Sequence, residues 1–192
     1  PDRRALAWRR AHGIGDDEVV VSFVSRLVWE KGLDVFADVI ARLDRAGVPH
    51  RCLVVGDGPA RDDLADQLPD GAVLTGYLGG NDLATAYASS DVFLFPSDTE
   101  TFGKVTIEAM ASGLPVICAD AAGSKDLVVD GTTGRRCRPG DADDFAEATG
   151  TLIADAARRR TMGAAAVERA QSFTWRAILD QLVCHHDELL AG

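Results

Sequence analysis

Six short runs rich in Val, Ile and Phe punctuate this chain, at 19–25, 51–56, 72–77, 91–97, 115–120 and, more weakly, 134–139. Each is too short for a helix and apolar at successive positions, the pattern of a parallel strand covered on both faces. Between them the apolar period changes. In 31–46, Leu33, Phe36, Val39, Ile40 and Leu43 recur at steps of three and four and form one helical stripe, which Gly47, Val48 and Pro49 terminate. Further helices are expected at 60–67, 81–89, 103–112, 141–154, 158–171 and 174–190, with Asp141 or Asp143 as a cap. Regular strand–helix alternation demands a parallel sheet with right-handed crossovers. The expectation is an α/β chain, a Rossmann-like doubly wound parallel sheet of about six strands flanked by helices, in the order 3-2-1-4-5-6. No repeat or low-complexity run divides the 192 residues, so one domain is expected.

Composition removes several function classes. Thirty acidic against twenty basic residues leave a net charge of −10, the wrong sign for a phosphate-backbone partner. No apolar stretch approaches the length of a membrane span, and the opening PDRRALAWRR lacks the apolar core of a signal peptide. Cys52, Cys118, Cys137 and Cys184 show no CxxC pairing, which suits reduced thiols in the cytoplasm better than a disulfide frame or a zinc site.

The strand order predicts where a ligand would sit. In such sheets it lies outside the carboxyl ends of the strands, where the order reverses. That is between the first strand and the fourth, just beyond Ser25 and Ser97. The first loop carries two cations, Arg26 and Lys31; the second carries Glu100 and opens a helix near Gly103. A helix start presents free N–H groups and a positive dipole end, so with two facing cations it would suit a diphosphate. Glu108 lies inside the same helix, and helical side chains lean toward the N-terminus. Both carboxylates would accept hydrogen bonds from hydroxyls. Phosphates in the middle and hydroxyls at both ends describe a nucleotide sugar.

Plainer readings exist for each feature. Arg26 and Lys31 would serve equally as solvated surface charges, and Glu100 and Glu108 as acids favoured near a helix start. Gly56, Asp57, Gly58 and Pro59 form a turn; a third glycine is lacking and the turn follows the second strand, so the dinucleotide fingerprint does not apply. Cys184, His185 and His186 are adjacent on a helical stretch and cannot all face one metal. His12 and His50 stand alone, and Trp29 and Trp175 read as packing anchors.

Three motifs give the chain a family likeness from about Val19 to Leu190. SRLVWEKG at 25–32 is similar to G-R-L-x-x-E-K-G. FPSDTETFGKVTIEAMASGLPVI at 95–117 holds an E-x7-E pair as Glu100 and Glu108. AGSKDLVVDGTTG at 122–134 is similar to G-G-x-x-E-x-V-x-x-G-x-x-G. Together they resemble the carboxyl-terminal half of retaining glycosyltransferases of the GT-B fold, family GT4. The second motif is the most specific.

The resemblance implies roles. Arg26, Lys31 and Glu100 would be the catalytic residues. The two cations would hold the donor diphosphate and stabilise its leaving charge, and Glu100 would meet sugar hydroxyls. Backbone amides beside Thr101, at Phe102 and Gly103, would bind the same sugar, and those of Lys104 and Val105 the phosphates. Glu108 would hold the ribose, and the base would lie near Tyr77 and Leu78. The implied reaction is hexosyl transfer with retention, of mannose or glucose type, from a GDP-sugar or UDP-sugar to a sugar or lipid acceptor. No metal or other cofactor is implied, and Glu100 is not assigned as a nucleophile. The segment 97–117 looks most like mannosyltransferases that use GDP-mannose.

Two positions depart from the pattern: Ser25 stands for a usual glycine, and 122–126 replaces G-G-x-x-E. Since the family has two Rossmann-like domains, the resemblance implies that 1–17 is a linker from a missing first domain and 174–190 a closing helix. The isolated chain would then be inactive, and the longer enzyme cytoplasmic, with contact at the inner membrane surface if its acceptor is a lipid. A sugar-nucleotide epimerase of related architecture and a non-catalytic nucleotide-binding module are the alternatives.

Overall fold

A computed structural model describes residues 3–121 and 123–173. Six parallel strands form one sheet: β1 (Val20–Val24), β2 (Arg51–Val55), β3 (Val73–Leu74), β4 (Val92–Phe95), β5 (Val116–Ala119) and β6 (Gly134–Cys137), ordered β3-β2-β1-β4-β5-β6. The expected order is therefore realised. In the central strands β1, β4 and β5 every residue is buried, as two covered faces require. Eight helices accompany the sheet among the described residues: α1 (Arg3–Ala11), α2 (Leu33–Arg45), α3 (Arg61–Ala65), α4 (Gly80–Ala88), α5 (Lys104–Ala111), α6 (Ser124–Leu127), α7 (Ala142–Ala154) and α8 (Ala156–Ala170). All five stripe residues expected in α2 are buried.

The differences from the sequence reading have local causes. The run at 72–77 pairs as a strand only over β3, because Gly76 at a φ of 74° turns the chain away. Asp141, rather than Asp143, caps α7, accepting from the Asp143 and Asp144 amides. Asp155 caps α8 through the Arg158 amide, so that helix starts two residues before the expected 158. The short helix α6 was not anticipated.

The stretch 1–17, read as a linker, holds α1, and this helix is bolted to the domain. Arg9 is only 1% exposed. It donates to the Ser89 carbonyl at 2.9 Å and to Asp91 Oδ2 at 2.7 Å, and the same Asp91 oxygen accepts from the Val20 amide at 2.8 Å. A buried guanidinium must satisfy its donors internally, and this one does so on the segments entering β1 and β4. The closing helix expected at 174–190 lies outside the described residues, as does the Cys184, His185, His186 cluster. Cys52, Cys118 and Cys137 are buried and unpaired, and burial pushes each thiol up to about 12.

Candidate active site

β1 and β4 lie side by side at the centre of the sheet, Val21 opposite Val92 and Ser22 opposite Phe93. Their chains leave in different directions, to β2 and to β5, and a crevice opens between the two loops. Thr99 Oγ1 ties the loops together by donating to the Glu30 carbonyl at 2.8 Å. Gly56, at the end of β2, forms the crevice floor. A Cβ there would sit 1.8 Å from the Ser25 carbonyl oxygen, so only glycine permits this approach.

The resulting cleft has a volume of about 630 Å³. Of the residues picked from sequence, Arg26, Tyr77, Leu78, Lys104, Val105 and Glu108 line it. Tyr77 is 80% exposed on the rim. The Arg26 guanidinium meets Glu30 at 3.1 Å in an exposed pair, a contact worth little and readily exchanged for a stronger anion. Val105 and Lys104 belong to the first turn of α5, whose opening amides have no carbonyl partner within the helix.

Lys31, Glu100, Thr101, Phe102 and Gly103 do not line that cleft; they gather beside it, over the start of α5. Lys31 Nζ lies 3.2 Å from Glu100 Oε2, and Glu100 Oε1 accepts from the Gly103 amide at 3.0 Å. Burial works to raise the Glu100 carboxyl, but the Gly103 amide, Lys31 and the Phe102 amide outweigh it and hold the group below its ordinary value. Glu100 thus braces the turn that leads into α5 and neutralises Lys31. Thr101 and Phe102 are exposed, and Gly103 is buried at the helix cap with a φ of 72°. The third motif backs onto this corner: at Gly123, φ 86°, a Cβ would come 2.2 Å from the Glu100 carbonyl oxygen.

Glu108 is bonded on both oxygens. Oε2 accepts from the Tyr87 hydroxyl at 3.1 Å, and Oε1 faces Lys104 Nζ at 3.5 Å. Tyr87 escaped the sequence reading, since one tyrosine among the small residues of α4 carries no motif. Ser25, Asp57 and Leu83 also line the cleft. The second of these belongs to the turn at 56–59. Cations, helix amides and carboxylates therefore converge on one crevice, an arrangement suited to an anion flanked by hydroxyl groups.

Comparison with known proteins decides the family. A family model for glycosyl transferases group 1 matches residues 18–155. The chain belongs to that family. Among its group 1 relatives, a GDP-mannose-dependent alpha-mannosyltransferase of Corynebacterium glutamicum is 37% identical over 191 residues, covering 100% of this chain and 45% of the relative. The sulfoquinovosyl transferase of Arabidopsis thaliana is 41% identical over 166 residues, covering 84% of this chain and 32% of the relative. This group 1 chain thus spans between about a third and a half of the length of such relatives. Among solved structures, the Anabaena protein HepE in complex with UDP aligns with a TM-score of 0.85 and 27% identity, covering 98% of this chain and 53% of that one. The fold is the α/β architecture of GT-B glycosyltransferases. Among the described residues, no helix is long and apolar enough to cross a membrane, and no cluster of three His, Cys, Asp or Glu side chains is arranged to hold a metal ion.

Proposed function

We propose that this chain is the nucleotide-sugar-binding half of a retaining hexosyltransferase. The observation that carries the reading is the crevice between β1 and β4, where Arg26, the start of α5 and Glu108 share one 630 Å³ cleft. Relatives named for GDP-mannose and a structural neighbour holding UDP favour a nucleoside-diphosphate sugar as the donor. Arg26 and the first amides of α5 hold the diphosphate. Lys31 joins them and stabilises the charge that develops on the departing phosphate, at a site where fixed cations cost no reorganisation. Glu100, already fixed by Lys31 and the Gly103 amide, presents a carboxylate to sugar hydroxyls. Glu108 accepts from the ribose, and the base rests near Tyr77 and Leu78. The reaction cleaves the bond between the sugar and the diphosphate and forms a glycosidic bond to a sugar or lipid acceptor hydroxyl. Acceptor binding falls to a further domain, so the chain alone binds donor without transferring sugar. A lipid acceptor would bring the longer enzyme to a membrane surface.

Calorimetric titration of the chain with GDP, UDP and ADP, each with and without magnesium, tests this. Saturable binding of one of them, equal with and without the metal, is expected. Binding that requires magnesium would remove the metal-independent mechanism, and binding of none would overturn the donor-site reading.

A further inference from the structure

Glu108 stands in a partition. On one side is the 630 Å³ cleft; on the other is a neighbouring hollow of about 270 Å³, lined by Gly80, Leu83, Ala84, Tyr87, Ala111 and Ser112 together with Glu108 itself. A glutamate with three rotatable bonds and open space on both sides has no reason of its own to face the cleft. Something must hold it.

Tyr87 supplies the hold. It projects from α4, is 2% exposed, and its ring packs edge-on against Phe93 of β4 with centroids 6.0 Å apart. The ring is thus located by the core. Its hydroxyl has one proton and two acceptors in reach, Glu108 Oε2 at 3.1 Å and the Val105 carbonyl at 3.4 Å. The carboxylate is nearer and charged, and accepts the hydrogen bond. Burial, with the adjacent Glu108 charge, pushes the Tyr87 hydroxyl well above its ordinary value, so it stays a donor. The other partner of Glu108, Lys104, is of a different kind: its side chain is mostly exposed and meets Oε1 at 3.5 Å. That lysine also lines the cleft and is free to turn toward an incoming anion.

We infer that Tyr87 is a positioning residue, fixing one oxygen of Glu108 so that the other is presented to the donor's ribose when Lys104 swings away. The inference rests on the donor-site reading above and adds to it the origin of ribose recognition. Tyr87 itself touches no ligand. Its effect is confined to ligands that carry the hydroxyls Glu108 would accept from.

The test compares GDP and UDP with their 2′,3′-dideoxy counterparts, by titration of the unsubstituted chain, Tyr87→Phe and Glu108→Asp. The unsubstituted chain should prefer the ribose form. In Tyr87→Phe that preference should shrink by about tenfold, the size of one charge-assisted hydrogen bond, with affinity for the dideoxy form nearly unchanged. Glu108→Asp, which withdraws the carboxylate by one methylene, should lose the preference likewise, and adding Tyr87→Phe to it should take away no more; all titrations are run well below the temperature at which Tyr87→Phe melts. If Tyr87→Phe keeps the preference, Tyr87 does not position Glu108 and the inference fails while the donor-site reading stands; if Glu108→Asp keeps it, Glu108 does not read the ribose, and that part of the donor-site reading falls together with the inference. Equal weakening of both ligand forms by Tyr87→Phe would also overturn it, since that is the mark of a general packing role. An unsubstituted chain that does not distinguish the two forms, or binds neither, overturns the ribose reading and the inference with it.

Discussion

Two cation–carboxylate pairs sit at opposite ends of the same sheet, and they are built differently. At the amino ends of β1 and β4, Arg9 meets Asp91 at 2.7 Å, with the arginine side chain 2% exposed and every neighbour drawn from the domain itself. At the carboxyl ends, Lys31 meets Glu100 at 3.2 Å, with 19% and 15% of the two side chains exposed. The first pair is a closed set of partners and acts as a fastening. The second leaves room: a lysine has three donors and a carboxylate about four acceptor sites, and the contacts described here use only some of them. Around it stand looser pairs still, Arg26 with Glu30 and Lys104 with Glu108. The sheet therefore separates charge that holds the fold from charge that can be handed to a ligand.

Replacing the cation at each end measures that separation. Arg9→Met should cost the most, about 3 kcal/mol of unfolding free energy, because it leaves the Asp91 carboxylate with only the Val20 amide in a mostly dry site. Urea denaturation reads this, and affinity for a nucleoside diphosphate should hold within about twofold, since the cleft lies across the sheet. Lys31→Ala should do the reverse. Its unfolding free energy should fall by no more than about 1 kcal/mol, because Glu100 keeps the Gly103 amide, whereas diphosphate affinity should drop at least about tenfold, or about 1.4 kcal/mol. If Arg9→Met abolished binding, or Lys31→Ala left it untouched, the two ends would not be separable in this way.

The same division governs what could be read from sequence. The sheet order was legible because burial on both faces writes itself as continuous Val, Ile and Phe, and the α2 stripe because one buried face imposes a 3.6-residue period. The crevice followed from the order, and with it Arg26 and Glu108 as lining residues, whereas Lys104 and Val105 came from the family resemblance. Arg9 was not legible. A buried arginine in PDRRALAWRR looks like any of its exposed neighbours, and its partners, Ser89 and Asp91, are some eighty residues away. Tyr87 was hidden for the same reason, since its meaning depends on a hydroxyl reaching across to α5. The pairing of Lys31 with Glu100 was also missed: each had been assigned separately to a ligand, and their mutual contact joins loops sixty-nine residues apart.

The smallest effect sharpens the comparison by pH. Glu100 titrates below its ordinary value of 4.5 when folded, because the Gly103 and Phe102 amides and Lys31 outweigh the opposing effect of burial. On acidification the unfolded chain takes up its proton first, near 4.5, while the folded chain resists to a lower pH. The stability Glu100 contributes is therefore present in full above about pH 4.5, declines below it, and is gone once the folded group is protonated. Glu18 and Asp144 are held low in the same way and add to the acid slope, so the slope alone does not identify Glu100. The difference between the unsubstituted chain and Glu100→Gln does. Thermal melting of both across pH 3 to 7 should show the smaller gain for the unsubstituted chain in acid and a constant one above about pH 5. A bound nucleotide sugar whose hydroxyls donate hydrogen bonds to Glu100 should move the onset of that decline further down, since protonation would then also break a ligand contact. An onset unmoved by ligand would mean that Glu100 belongs with Arg9 and Asp91, as part of the fastening and not of the site.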